Sequence, residues 1–171
     1  PGQGHTLDRW RAFAAVGSYD LGLAKLFEGH TDALAILAEL GAPTVAIEGR
    51  WGVWCADPPD SHVQARPSGA QTLYGPGAAV QLHGRKAWCS GAADIEQALV
   101  SAWLPDRQRC LVAVRMQQSG IRVDTDRWRA VGMAASASYD VHFNDVAGVL
   151  VGAPGEYLSR PGFSHGGAGV A

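Results

Sequence analysis

The chain has 171 residues, 47% hydrophobic and 18% charged, enough for one good core or two small ones. Its 14 basic and 16 acidic residues are interleaved, leaving a net charge of -2 and no polybasic run, so neither nucleic acid nor an anionic membrane is an expected partner. Apolar runs fall far short of the roughly 18 residues that span a bilayer. The start, Pro1-Gly2-Gln3-Gly4-His5, lacks a secretion-signal pattern, and Cys55, Cys89 and Cys110 are widely spaced without CxxC grouping, so a reduced, cytoplasmic protein is expected.

Thr6 to Val16 reads as a short helix, with Leu7, Trp10, Phe13 and Ala14 on one face. Asp20 then stands as an N-cap, and Leu23, Leu26, Phe27, Leu34, Leu37 and Leu40 repeat at helical spacing until Gly41 and Pro43 stop the pattern. A helix over 21–40 is the expectation.

After Pro43 the apolar period shortens to two. Val45, Ile47, Trp51, Val53 and Cys55 predict a strand ending at Asp57-Pro58-Pro59, and further strands are expected at 62–66, 79–90 (bent at His83-Gly84), 98–103, 110–116 and 138–146. From Val146 to Pro161 the sequence is loop-like, and Phe163 to Ala171 looks like the beginning of another helix. Short strands that follow helices rather than alternate with them indicate an α+β protein, a helical segment followed by a small antiparallel barrel. The expected division is 1–43 helical, 44–150 β-barrel, and 151–171 a linker with the start of a helical domain.

The six histidines show no ligand spacing, since His30 lies two residues from both Glu28 and Asp32, so no metal site is expected. Gly152-Ala153-Pro154-Gly155 lacks the GxGxxG form of a dinucleotide site and reads as a loop.

Four stretches carry a family resemblance. Asp20 to His30 is similar to a helix of the N-terminal domain of the acyl-CoA dehydrogenases. Gly84-Arg85-Lys86-Ala87-Trp88-Cys89-Ser90-Gly91-Ala92 resembles that family's G-x-K-x-W-I-[ST]-[NG]-G flavin strand. Gly132 to Ser138 resembles its G-x-R-x-S-x-[ST] turn, and Tyr139 to Val146 its x-D-V-x-F-x-D-V strand.

The resemblance implies FAD as cofactor and α,β-dehydrogenation of an acyl-CoA or related thioester, with electrons leaving to an electron-transfer acceptor. It implies a homodimer or homotetramer. Trp88 would lie against the isoalloxazine, and Ser90, two residues on and thus expected on the same strand face, would donate toward N5. Cys89, in the same cofactor-binding stretch, would point its side chain into the core. Cys55, Ala56 and Asp57 occupy the place of the C-x-[ST]-E-P loop at the flavin pyrimidine edge. Ser136 and Ser138 are the candidate substrate-binding hydroxyls, with turn capping as the alternative.

Two departures stand out: Ala134 replaces the motif's Arg, and Pro59-Asp60-Ser61-His62 replaces the Gly-rich continuation of the loop. The family's catalytic Glu would lie beyond Ala171, so no catalytic residue is assigned within the chain. Two other readings are a non-catalytic scaffold or partner of the same fold and a flavin monooxygenase on it.

Overall fold

The computed structural model describes residues 4–42, 45, 47–69 and 74–160. Two helices come first, α1 (Thr6–Tyr19) and α2 (Leu21–Leu40). The Asp20 carboxylate accepts the Leu23 N–H at 2.6 Å, and Gly41 closes α2 in the left-handed conformation with its N–H on Leu37 O. Asp20→Ala is expected to cost about 1 kcal/mol, read as a lowered urea midpoint with an unchanged slope.

The apolar face foreseen on α1 is not buried. Leu7 and Trp10 are 64% and 63% exposed, and no residue of α1 is buried. An edge-on contact of Phe13 with Phe27, ring centroids 5.2 Å apart, ties α1 to α2. On α2 the foreseen Leu23 is exposed, and Ala33, Ile36 and Leu37 form the buried strip.

The strands are β1 (Trp51–Trp54), β2 (Val63–Pro67), β3 (Ala79–Cys89), β4 (Gln97–Trp103), β5 (Arg109–Arg115), β6 (Ile121–Asp124) and β7 (Tyr139–Val151). Strands β4, β2, β3, β7 and β5 are neighbours in that order, and the β4–β5 pairing closes them into a barrel. β6 pairs with β7 outside this ring. The α+β arrangement expected from the sequence, helices followed by a small β-barrel, is the observed one.

The barrel is mixed rather than wholly antiparallel. β1 runs parallel to β4 from Trp51↔Gln97 to Trp54↔Val100, and β2 meets β4 in parallel at Gln64↔Trp103. The strand expected to begin at Val45 begins at Trp51, with Ile47 exposed. β7 runs five residues past its expected end at Val146, into a stretch read as loop. A four-residue helix, α3 (Glu156–Ser159), follows, while the helix expected at 163–171 lies outside the described residues.

Two apolar clusters hold these layers. The barrel interior contains Trp54, Val63, Leu82, Cys89, Val100, Val112, Phe143 and Leu150. Outside the wall, Ala33, Ile36 and Leu37 of α2 pack on Trp51, Leu99, Leu111, Ala113 and Val151. β4 and β5 are therefore buried on both faces, which explains their continuous apolar runs.

Candidate functional site

The site forms where β3 leaves the barrel. Ser61, fully buried, accepts the Ala87 N–H and donates to Arg85 O, both at 2.9 Å, and so clips the strand to the preceding loop. Beyond that clip the β3–β7 ladder slips: Lys86 faces Val141 while Cys89 faces Tyr139, three residues of one strand against two of the other. This is a β-bulge. It is absorbed at Trp88, whose φ of +59° is rare for a bulky residue and costs on the order of 1–2 kcal/mol.

The bulge corrects the simple alternation expected from the sequence. Lys86, Trp88 and Ser90 do not share one face: Lys86 is fully buried, Trp88 is 58% exposed, and Ser90 lies just past the strand end, half-buried. Cys89 is fully buried as foreseen, its thiol reaching Lys86 O at 3.3 Å, so a ligand could meet only its backbone. Burial pushes that thiol well above its ordinary pKa.

Ser90 is the meeting point of three elements. Its carbonyl accepts the indole N–H of Trp54, from the end of β1, at 3.1 Å. Its hydroxyl lies 2.8 Å from the Ser138 hydroxyl, which lies 3.0 Å from that of Ser136. The next residue, Gly91, donates its N–H to Ser136 O at 3.0 Å. Ser136 belongs to a one-turn helix, Ala134–Ser136, against which α2 packs so closely that a Cβ on Gly22 would stand 2.9 Å from the Ala135 methyl.

Ser136 and Ser138 are thus joined to Ser90 through their hydroxyls. At 2% and 7% exposure, though, they lie behind Ser90 rather than open to a substrate.

Cys55, Ala56 and Asp57 follow β1 directly. Ala56 is exposed, Cys55 is half-buried and hydrogen-bonded to Tyr157, and burial raises the Cys55 thiol. The Asp57 carboxylate is turned inward, onto the Lys86 ammonium and the Arg109 guanidinium. Lys86 completes its donors on Ser101, with the hydroxyl at 2.7 Å and the carbonyl at 3.0 Å. Asp57 therefore has only its backbone to offer a ligand.

This buried Asp57–Lys86–Arg109 group was not foreseen. The signal for it was the Lys of the motif two residues before Trp88, a cation placed among apolar neighbours. A second ionic group, the buried Asp140 with Arg85 at 2.6 Å, braces the bulge from β7, and Arg85 also holds Asp60 at 2.8 Å.

Further along the chain, a cleft of about 350 Å³ opens between the 92–96 turn and Met116, Ile121 and Val123, with the Arg50–Glu96 pair, 3.0 Å apart, at its edge. Among the described residues no cluster suits a metal ion, and no helix is long and apolar enough to cross a membrane.

No protein-family model matches the sequence, and no curated protein matches it. Among solved structures, the chain is similar to dibenzothiophene monooxygenase TdsC from Paenibacillus sp. A11-2, at 28% identity and a TM-score of 0.67 over 85% of this chain and 39% of that one. The FMN-bound form of TdsC aligns at 25% identity with a TM-score of 0.71, over 85% of this chain and 40% of that one. Methanesulfinate monooxygenase MsuC from Pseudomonas fluorescens aligns at 22% identity with a TM-score of 0.60, over 76% of this chain and 35% of that one. The chain spans about two-fifths of the length of TdsC, and what it shares with these enzymes is their fold.

Proposed function

We propose that this chain is the flavin-binding β-barrel region of a flavin-dependent oxidoreductase, with FMN or FAD as cofactor and monooxygenation as the reaction. The observation that carries the proposal is Trp88, a large indole 58% exposed and held out of the barrel by a strained bulge beside the Ser90 hydroxyl. Strain at a bulky residue persists only where its surroundings impose it, and it concentrates at functional sites. A flat apolar ring next to a fixed hydroxyl suits a flat heteroaromatic ring with polar edge atoms.

The residues present fit such a cofactor. Trp88 would cover one face of the ring system, Ser90 would meet a polar edge atom, and the backbone of the exposed residue Ala56 would offer further hydrogen bonds. A bound flavin supplies two-electron transfer and, once reduced, reaction with dioxygen. Around it, the chain's own residues orient the ring and shield it from water on the barrel side.

Likeness to a dibenzothiophene monooxygenase at 28% identity supports monooxygenation. The second reading is dehydrogenation of an acyl-CoA thioester, favoured by the ordered motifs that fall together at the site: 84–91, 132–138 and 139–146. It requires a carboxylate base and an electron acceptor from outside these residues, because Asp57 and Asp140 here are taken up by Lys86 and Arg85. Under either reading a cytoplasmic homodimer or homotetramer is proposed.

The test is made on the full-length protein. Incubated with FMN or FAD and then desalted, it is expected to keep a yellow flavin spectrum. Oxygen uptake with reduced flavin supports monooxygenation, whereas dye reduction driven by an acyl-CoA supports the second reading. A protein that retains neither flavin would overturn both.

A further inference from the structure

We propose that Ser136 and Ser138 act as positioning residues that turn the Ser90 hydroxyl proton inward, so that Ser90 meets its ligand as a hydrogen-bond acceptor and selects the reduced flavin over the oxidised one. This rests on the flavin reading above, and it reverses the donor role that the family resemblance implies for Ser90.

The Ser136 hydroxyl donates to Met133 O at 2.9 Å, in a geometry where the carbonyl can only accept. Its single proton is then spent, so across the 3.0 Å contact Ser138 must be the donor. Ser138 has spent its own proton in turn, so across the 2.8 Å contact the donor must be Ser90. The three hydroxyls thus form one directed chain, Ser90 to Ser138 to Ser136 to Met133 O. Turning the Ser90 proton outward leaves two oxygens facing each other without a proton somewhere along it.

Ser136 and Ser138 are both buried, so water cannot readily replace the lost bond. The outward side of Ser90 therefore carries lone pairs. Flavin N5 is a bare acceptor when oxidised and an N–H donor when reduced, and lone pairs favour the second.

The experiment measures dissociation constants of the full-length protein for oxidised FMN and for dithionite-reduced FMN under anaerobic conditions, and compares their ratio between variants. A partly unfolded variant scales both constants alike and leaves the ratio untouched. Wild type is expected to bind the reduced form more tightly.

In Ser136→Ala the one hydroxyl partner left to Ser138 among the described residues is Ser90, so the chain reverses and the Ser90 proton turns outward. The preference for the reduced form is expected to fall about tenfold, equivalent to a drop of about 30 mV in the two-electron potential of bound flavin. Ser138→Ala lowers it as well, and Ser138→Thr, which keeps the hydroxyl, restores it.

An unchanged ratio in Ser136→Ala, or a ratio that falls equally in Ser138→Thr, overturns the directed chain while leaving flavin binding intact. Failure of the wild type to bind either form overturns the flavin reading and this inference together.

Discussion

Asp57→Ala is expected to lower the unfolding free energy by about 3–5 kcal/mol, the cost of leaving a buried charge without its partner. Lys86 is fully enclosed, and among the described residues its ammonium is paired with the Asp57 carboxylate, the remaining donors going to the Ser101 hydroxyl and carbonyl. Arg109 leans on the same carboxylate from the other side while stacking on the Trp103 ring 5.0 Å away. Removing Asp57 therefore strands two cations, one of them with no route to water.

The sign reverses when the cation is removed as well. Lys86→Met keeps the volume and apolar stem, so the Lys86→Met, Asp57→Ala double variant is expected to be more stable than Asp57→Ala alone. Urea denaturation of the four proteins gives the coupling directly. An Asp57→Ala protein within about 1 kcal/mol of wild type would show that the Lys86 ammonium reaches solvent there. This pair joins the loop after β1 to the strand leading to Trp88, beside the Ser61 clip, so the same substitution is also expected to loosen the exposed indole.

The ordered α+β plan was readable because its signals are local. Asp20 and Gly41 bound α2 at the residues where the helix begins and ends, since capping is decided within four residues of chain. The pairing of β1 beside β4 in parallel was not readable, because a four-residue strand carries no mark of which distant edge it joins. β6 alternates as Ile121-Arg122-Val123-Asp124, but four residues between a glycine and a charged turn are too few to tell from a loop.

At the site, the family resemblance marked Trp88 and Ser90 for the cofactor and Ser136 and Ser138 for the substrate. It missed how they are arranged, because strand periodicity assumes a regular pleat and the bulge at Trp88 breaks it. Whether a serine faces a ligand or stands behind another serine depends on that break, and nothing in residue spacing records it.

Trp88→Gly separates a binding indole from a structural one, because the two roles predict opposite losses. A tryptophan that packs a core costs about 3–5 kcal/mol when truncated. Trp88 gives up little: at 58% exposure its burial contributes about 1–2 kcal/mol, and glycine releases a comparable strain at a φ of +59°. Glycine adds an unfolded-chain entropy cost of about 0.5–1 kcal/mol, so the net change in stability is expected to stay within about 1 kcal/mol.

Flavin binding takes the whole effect. Losing one aromatic face against a ring of that size is expected to weaken FMN or FAD about 10- to 100-fold. Paired urea denaturation and flavin fluorescence titration of the full-length protein read the two quantities independently. A variant that loses several kcal/mol of stability while its folded fraction binds flavin normally would make Trp88 a packing residue, and the site would have to lie elsewhere on the barrel.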